Sequence, residues 1–116
     1  MGNDSRIDLG KDISWDETER YVEDMNGKSF GGHSDWRIPS GQEALSLFDK
    51  NKLNKDFKGG DIHLDSVFSP GAGNTTWTSE TRGREAQIIF YINGLPYWYE
   101  KEDKTLSHSV RLIRRD

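Results

Sequence analysis

Histidine is the side chain that most often serves in acid–base catalysis or metal binding near neutral pH. The chain has three histidines, His33, His63 and His108, and no two of them have the spacing of zinc ligands on a helix or in a short loop. Asp61 and Asp65 flank His63 and are able to bind a cation, but a solvated loop is the favoured interpretation. The pattern predicts scattered surface histidines, no metal site and no cofactor.

Cysteine is absent from the chain. Its absence excludes a disulfide, a thiolate nucleophile and any metal site built from cysteine. No nucleophile elbow indicates a Ser-His-Asp arrangement, and Gly71-Ala72-Gly73 precedes a predicted strand, which is typical of a turn and not of a phosphate loop. We therefore predict no catalytic residues and a non-enzymatic domain. A catalytic domain of unknown reaction that uses Asp, Glu and His remains the alternative.

Aromatic and guanidinium side chains are the better candidates for function. Flat rings beside amide and guanidinium donors commonly stack on sugar rings or grip a protein. The predicted ligand-binding residues are Tyr91, Trp98, Asn74, Arg82 and Arg84. For Tyr91 and Trp98 the alternative is that the long loop before the strands covers them.

The charge of the chain argues against nucleic acid as a partner. Sixteen basic and 20 acidic residues give a net charge of -4, and residues 1–26 hold eight of the acids against three basic residues. A duplex-binding domain normally has a basic stripe, so we predict no nucleic-acid partner. We also predict no membrane span, since no apolar run is long enough, and residues 1–10 lack the apolar centre of a secretion signal.

Two capped amphipathic helices are predicted to support the site. Ser14-Trp15-Asp16-Glu17 and Ser40-Gly41-Gln42-Glu43 both have the form of a capping box, and apolar residues recur at three- and four-residue spacing after each. The first helix is predicted from about residue 15 to residue 26, with Gly27 as its stop. The second is predicted from residue 41 to about residue 50.

From residue 75 onward the composition favours β-strands, which we predict over 75–78, 86–92, 95–99 and 109–113. Asn93-Gly94 is a strong hairpin signal, and a two-residue loop there or a four-residue loop over 93–96 gives the same division of faces. Residues 51–76 are predicted as a long loop pinned by apolar islands at 62–64 and 67–68. One face of the hairpin should hold Ile88, Phe90, Ile92, Tyr97 and Tyr99, and the other Ile89, Tyr91 and Trp98.

Several large side chains are predicted to have structural roles. They are Trp15, Trp36, Arg37, Trp77 and Arg111. Trp36 has the size to anchor the core between helices and sheet, and Arg37 can tie its loop to backbone groups or to Asp35. Arg111 lies between the apolar Val110 and Leu112, so its side chain should point to the opposite face of the strand. There it is expected to pair with an acid such as Glu85 or Asp35, or to bind an anion.

Four blocks of sequence, in order, carry a resemblance to a known family. They are Ser-Trp-Asp-Glu at 14–17, Asp-Trp-Arg-Ile-Pro-Ser at 35–40 with Glu43 and Leu47, Trp-Thr-Ser at 77–79, and Val-Arg-Leu-Ile-Arg at 110–114. Over roughly residues 13–115 the chain resembles the bacterial family of unknown function named for the C-terminal domain of the collagen-like adhesin Lcl. The usual opening hairpin of that family is missing or degenerate, with Ile7-Asp8-Leu9-Gly10 in its place.

The resemblance implies a C-type-lectin-like fold, similar also to formylglycine-generating enzymes. The chemistry of those enzymes needs reactive cysteines, and the calcium-binding tripeptides of C-type lectins do not occur in the chain. We predict one α+β domain over residues 1–116, with residues 1–12 irregular and two helices packed on a twisted, mostly antiparallel sheet.

The function implied is that of a recognition or display module of a bacterial or phage surface-associated protein, located outside the cell or in the envelope. It would bind a glycan or a protein through the loop side of the sheet. A structural assembly unit is a further alternative, since a fold supplies no function by itself. The sequence predicts no oligomeric state.

Overall fold

The computed structural model describes residues 4–65, 71, 73–103 and 108–114. Its elements in chain order are α1 (Ser5–Leu9), α2 (Trp15–Gly27), β1 (Trp36–Arg37), α3 (Gly41–Ser46), β2 (Asn54–Lys55), β3 (Asp61–Ile62), β4 (Thr75–Arg82), β5 (Glu85–Phe90), β6 (Pro96–Glu100) and β7 (Ile113–Arg114). Strands β4, β5 and β6 form an antiparallel sheet in that order, while β1 pairs with β7 and β2 with β3, also antiparallel. The predicted α+β class is confirmed.

Both predicted capping boxes are present and determine where the two main helices begin. At α2, Ser14 Oγ accepts from the Glu17 N–H at 3.3 Å, and the Glu17 carboxylate accepts from the Ser14 N–H at 3.0 Å. At α3, Ser40 Oγ accepts from the Glu43 N–H at 3.1 Å, and the Glu43 carboxylate accepts from the Ser40 N–H at 2.8 Å. Each box satisfies N–H groups that have no partner inside the helix.

The two helices end differently from each other. Helix α2 ends at Gly27, one residue beyond its predicted last residue, whereas α3 ends at Ser46 and not near Lys50. Beyond α3 the Asp49 N–H donates to the His63 carbonyl at 3.0 Å. This tertiary hydrogen bond to the long loop takes the backbone out of the helix, against its local preference.

The predictions for the two ends of the chain are wrong. Helix α1 occupies the segment that was predicted to be irregular, and its Ser5 N–H and Oγ bond the backbone of Val110, both at 2.9 Å. Residues 109–113 were predicted as a fourth strand, but only β7 at the end of that segment is a strand, and it pairs with β1. Val110 bonds with α1, whereas the Ser109 carbonyl accepts from the Trp77 N–H of β4. Because the hydrogen bonds of the segment are divided between two partners, no continuous β-ladder forms.

The division of faces is confirmed for the paired residues of β5 and β6, although the predicted loop is wrong. Ile88 pairs with Tyr97 and Gln87 with Trp98, so the alternation along both strands is the one expected. The connection covers residues 91–94, because Phe90 N–H donates to the Leu95 carbonyl at 3.1 Å. Residues 91 and 92 therefore lie in the turn and not in a strand.

Both faces of the sheet are covered. Against one face pack α2, β1 and the segments at both ends of the chain. Their core consists of Ile13, Tyr21, Met25, Trp36, Trp77, Ala86, Ile88, Val110 and Leu112, flanked by Trp15, Phe90 and Tyr99. Against the other face α3 and the long loop form a smaller core of Ala44, Ile62, Leu64, Ile89 and Tyr91. The hairpin therefore has no large open apolar face.

The long loop is pinned at the first of its two predicted islands. Ile62 and Leu64 are buried beneath the sheet. The second island, at 67–68, lies outside the described residues. Strands β2 and β3 form a small hairpin within the loop. Across the described part of the chain, no helix is both long enough and apolar enough to span a bilayer.

Candidate functional site

Two of the five predicted ligand-binding residues form a stacked pair on the outer part of the sheet. The guanidinium carbon of Arg82 lies 4.4 Å from the centre of the Trp98 ring. Arg82 Nε also donates to a Glu85 carboxylate oxygen at 2.9 Å, which fixes the plane of the guanidinium. Arg82 is exposed and Trp98 is half-buried, so the stack lies at the boundary with solvent.

Arg84 lines an open cleft at the same end of the sheet. The cleft has a volume of about 260 Å³ and is lined by Asp16, Gly83, Arg84, Glu100, Lys101 and Glu102. It forms where the β4–β5 turn, the end of β6 and the start of α2 meet. The backbone holds these parts together, since Lys101 N–H donates to Arg84 at 2.9 Å and Asp16 N–H donates to Lys101 at 3.1 Å.

A second cation over an indole borders this cleft. Lys101 Nζ lies 5.1 Å from the centre of the Trp15 ring, and the Trp15 Nε1–H donates to the Thr78 carbonyl at 2.8 Å. That hydrogen bond holds the ring in place. Arg84 is exposed, and within the described residues it forms no ion pair.

Tyr91 and Asn74 lie elsewhere, and the prediction that Tyr91 belongs to the contact surface is wrong. Tyr91 is 0% exposed, and its hydroxyl donates to the Ala44 carbonyl at 3.2 Å. Burial raises the pKa of that hydroxyl well above its usual value. The backbone carbonyl of Asn74 accepts from the Tyr91 N–H, and the side-chain amide of Asn74 donates to an Asp56 carboxylate oxygen at 3.2 Å. Both residues hold the long loop against the sheet.

Arg37 connects β1 to α3. Its two terminal nitrogens donate to the two carboxylate oxygens of Glu43 at 2.7 and 2.5 Å. The hydrogen bond from Arg37, followed by that from the Ser40 backbone, lowers the pKa of Glu43 to about 2. The same carboxylate thus caps α3 and fixes the segment before it.

Trp36 and Trp77 lie in the larger core, and hydrogen bonds fix both rings. The Trp36 Nε1–H donates to Phe30 and the Trp77 Nε1–H to Ile13, each carbonyl at 3.0 Å. The side-chain amide of Asn26 bonds the Trp36 backbone twice, accepting from its N–H at 2.8 Å and donating to its carbonyl at 3.0 Å. No sequence signal pointed to Asn26 beyond an amide at the end of a helix.

Arg111 is buried, and it pairs with an acid that was not considered. Its Nη2 lies 3.7 Å from an Asp4 carboxylate oxygen, and the Arg111 N–H donates to Thr76 Oγ1 at 2.8 Å. The same carboxylate accepts from the Gly73 N–H at 3.1 Å. The pair joins the two ends of the chain inside the domain.

The residues that fix this architecture include the motifs that carry the family resemblance. The sequence pattern described as the Lcl C-terminal domain matches residues 3–114. The chain belongs to the Lcl C-terminal domain family. The match extends the predicted range to include α1. Neither the curated proteins nor the solved structures contained a match to the chain, so the C-type-lectin-like fold of this Lcl C-terminal domain stays a prediction.

The three histidines of this Lcl C-terminal domain lie on separate segments. They were predicted to be surface residues, and for His108 that prediction is wrong. Its ring is 0% exposed and lies between Trp77 and Tyr99, with both centroid distances 4.9 Å. Burial lowers the pKa of His108, although the Asp103 carboxylate at 4.0 Å opposes that shift. His33 and His63 are partly exposed on separate segments.

The predicted solvated loop around His63 holds an ion pair. Asp61 pairs with Lys55 across the β2–β3 hairpin, and this partner lowers the pKa of Asp61. Among the residues that the structure describes, no three His, Asp or Glu side chains come together in a group that could hold a metal ion.

Proposed function

We propose that this Lcl C-terminal domain is a non-enzymatic recognition module of a surface-associated protein, and that it binds a glycan or a protein with the end of the sheet at the β4–β5 turn. The observation that carries the proposal is the Arg82 guanidinium stacked on the Trp98 indole, at the same end of the sheet as the cleft that Arg84 lines. An aromatic ring and planar donors at a solvent boundary suit contact with a sugar ring or a peptide plane.

The cleft lining supports a polar ligand. Arg84 and Lys101 offer donors, and the carboxylates of Asp16, Glu100 and Glu102 offer acceptors. Sugar hydroxyls and backbone amides both donate and accept, so a lining of mixed sign matches them better than it matches an apolar molecule. The cleft is also small and open, as suits recognition of part of a larger ligand.

Membership in the family supports placement of the domain in a surface-associated protein. A catalytic alternative would be favoured by several perturbed acids or bases around one cavity. The described groups with shifted pKa values are instead separate in the fold, and ion pairs account for the shifts of Glu43 and Asp61. Recognition is therefore the better-supported proposal.

Binding is tested with a glycan array and a panel of immobilised purified proteins, each with and without added Ca²⁺. The oligosaccharide or protein that binds best is then titrated into the isotope-labelled domain while amide and indole N–H shifts are recorded. We expect shifts at Trp98, Lys101 and residues 82–84. Shifts confined to other regions would contradict the proposed surface, and no binding to either panel would contradict the recognition function.

Substitutions locate the surface independently of the shifts. Arg84→Ala and Trp98→Ala are each expected to weaken binding by about tenfold, the loss typical of a moderate interface contact. Arg20→Ala is the matched control, because Arg20 is an exposed arginine that lines a different cleft beside α2. Equal losses in Arg84→Ala and Arg20→Ala would indicate a general charge effect and not this site.

A further inference from the structure

The outer edge of β6 presents an incomplete set of backbone groups. Strand β6 pairs with β5 on one side, and no described strand lies on its other side. Phe90 N–H donates to Leu95 and Lys101 N–H donates to Arg84, so these positions are hydrogen-bonded pairs of the ladder. Because such pairs alternate along an antiparallel ladder, Tyr97 also bonds toward β5. Residues 96, 98 and 100 direct their backbone groups away from the sheet.

These outward groups can be counted one by one. Trp98 presents an N–H and a carbonyl. Glu100 presents an N–H, but its carbonyl already accepts from the Asp103 N–H at 3.0 Å. Pro96 presents a carbonyl and has no N–H. The edge therefore offers two donors and two acceptors, and in the described part of the chain none of the four has a partner.

We propose that two copies of this chain associate through β6, antiparallel, about a two-fold axis at Trp98. In this register Trp98 pairs with Trp98 of the second copy, and each donates its N–H to the carbonyl of the other. Glu100 lies opposite Pro96 of the second copy and donates its N–H to that carbonyl. Pro96 has no N–H to donate, but the carbonyl opposite it is that of Glu100 of the second copy. This carbonyl needs no further donor, because it already accepts from the Asp103 N–H of its own chain. No outward group is left unsatisfied, and the same surface serves both copies.

The side chains are compatible with the same register. Tyr97, which is 39% exposed, lies beside Tyr99 of the second copy, and its ring already packs 4.9 Å from that of Phe90. Aromatic pairs across strands are favourable, and like charges directly opposite are not. The one charged residue of β6, Glu100, lies opposite an uncharged proline. The joined edge therefore opposes no like charges.

A foreign extended segment satisfies this edge less completely. A strand with an N–H at every position would place one N–H against the occupied Glu100 carbonyl. It would also leave its own carbonyl unbonded opposite Pro96, which has no N–H to donate. The association uses backbone groups of Trp98 and Glu100 and is tested without ligand, so its failure can be distinguished from a failure of the recognition function.

Sedimentation velocity over a range of concentrations, without ligand, tests the association. Glu100→Pro and Glu100→Ala both remove the carboxylate, but only proline removes the outward N–H. Proline is tolerated at an edge position whose N–H points away from the sheet, and circular dichroism checks that the variant folds. We expect wild type and Glu100→Ala to form a reversible dimer, and Glu100→Pro to raise the dissociation constant by about tenfold or more, since two hydrogen bonds are lost.

Hydrogen exchange on the wild-type chain gives a readout that needs no variant. The Trp98 and Glu100 amides should gain protection as the concentration rises, while exposed amides in loops should not. A chain that stays monomeric, with both amides exchanging as free groups, would overturn the proposal. A dimer with the same dissociation constant in both variants, or with unprotected Trp98 and Glu100 amides, would also overturn it because the contact would lie elsewhere.

Discussion

At the scale of single residues, Asn26 shows how one amide can hold two elements together. It accepts from the Trp36 N–H and donates to the Trp36 carbonyl, so it takes the place of a strand partner for a residue at the sheet edge. A carboxylate of the same shape can accept but cannot donate. The identity of the side chain therefore matters more than its size.

Asn26→Asp should lower the free energy of unfolding by about 1–3 kcal/mol, because the Trp36 carbonyl loses its donor and faces a charge. Urea denaturation near neutral pH measures the difference. Asn51→Asp is the matched control, since Asn51 is exposed and its side chain forms no hydrogen bond with the described residues. Equal losses in the two variants would show that the Asn26 bridge does not stabilise the fold.

Residues near one another in the chain or in a hairpin were predictable from the sequence, whereas pairs from distant segments were not. The Ser–Glu capping boxes follow from a fixed spacing, and Arg82 and Trp98 were selected together by their side-chain chemistry. Asp4 and Arg111 lie near opposite ends of the chain, and no periodic pattern connects them. The burial of Tyr91 also depends on contacts with the long loop and α3, which no local signal specifies.

At the scale of elements, the β5–β6 hairpin combines a predictable alternation with an unpredictable turn. Successive residues of a strand point to opposite faces of the sheet. A hairpin loop of two residues and one of four residues therefore assign every strand residue to the same face. The turn is set by tertiary contacts: Tyr91 turns toward α3, and Gly94 adopts a φ of +71° against the Phe48 ring. The loop therefore begins two residues before Asn93.

Gly94→Ala should be more destabilising than Gly59→Ala. Both glycines have positive φ, 71° and 79°, so both substitutions carry the cost of a left-handed backbone. A methyl group at Gly94 would also stand 2.7 Å from the Phe48 ring, whereas at Gly59 it would meet nothing within 4 Å. We expect an extra loss of about 1–3 kcal/mol at Gly94 in urea denaturation. Equal losses would mean that the ring moves aside freely.

At the scale of the whole molecule, the covered sheet explains where function can be located. Helix α2 and the end segments occupy one face, and α3 with the long loop occupies the other. The class of fold and the two main helices followed from local periodicity and caps. The way the helices and the long loop cover the two faces of the sheet could not be predicted, because it depends on contacts between segments that are distant in the sequence. With both faces covered, the accessible parts of the sheet are its turns and its β6 edge.

His108 makes the stability of this arrangement depend on pH. Its ring lies between Trp77 of β4 and Tyr99 of β6, and its carbonyl accepts from the Ile13 N–H at 3.0 Å. Burial lowers the pKa of His108 below its ordinary value of 6.5. The unfolded chain therefore binds a proton at a higher pH than the folded chain does. The contribution of His108 to the free energy of unfolding should therefore be fully present above pH 6.5 and decrease as the pH falls from there.

His108→Phe should reduce this decline between about pH 7 and pH 5, as measured by urea denaturation at a series of pH values. His33→Phe is the control, because that ring is partly exposed and lies outside the core. A decline that is unchanged in His108→Phe, or lost equally in His33→Phe, would assign the pH dependence to other groups.

The bonds between Ser5 and Val110 and between β1 and β7 bear on how the chain reaches its native state during synthesis. Helix α1 completes its contacts with residues about 105 positions later in the chain, so these contacts cannot form until residue 110 has left the ribosome. Such separation in sequence slows folding, because a long loop has to close before its contacts form. Nascent chains that stop before residue 108 should consequently remain sensitive to protease throughout.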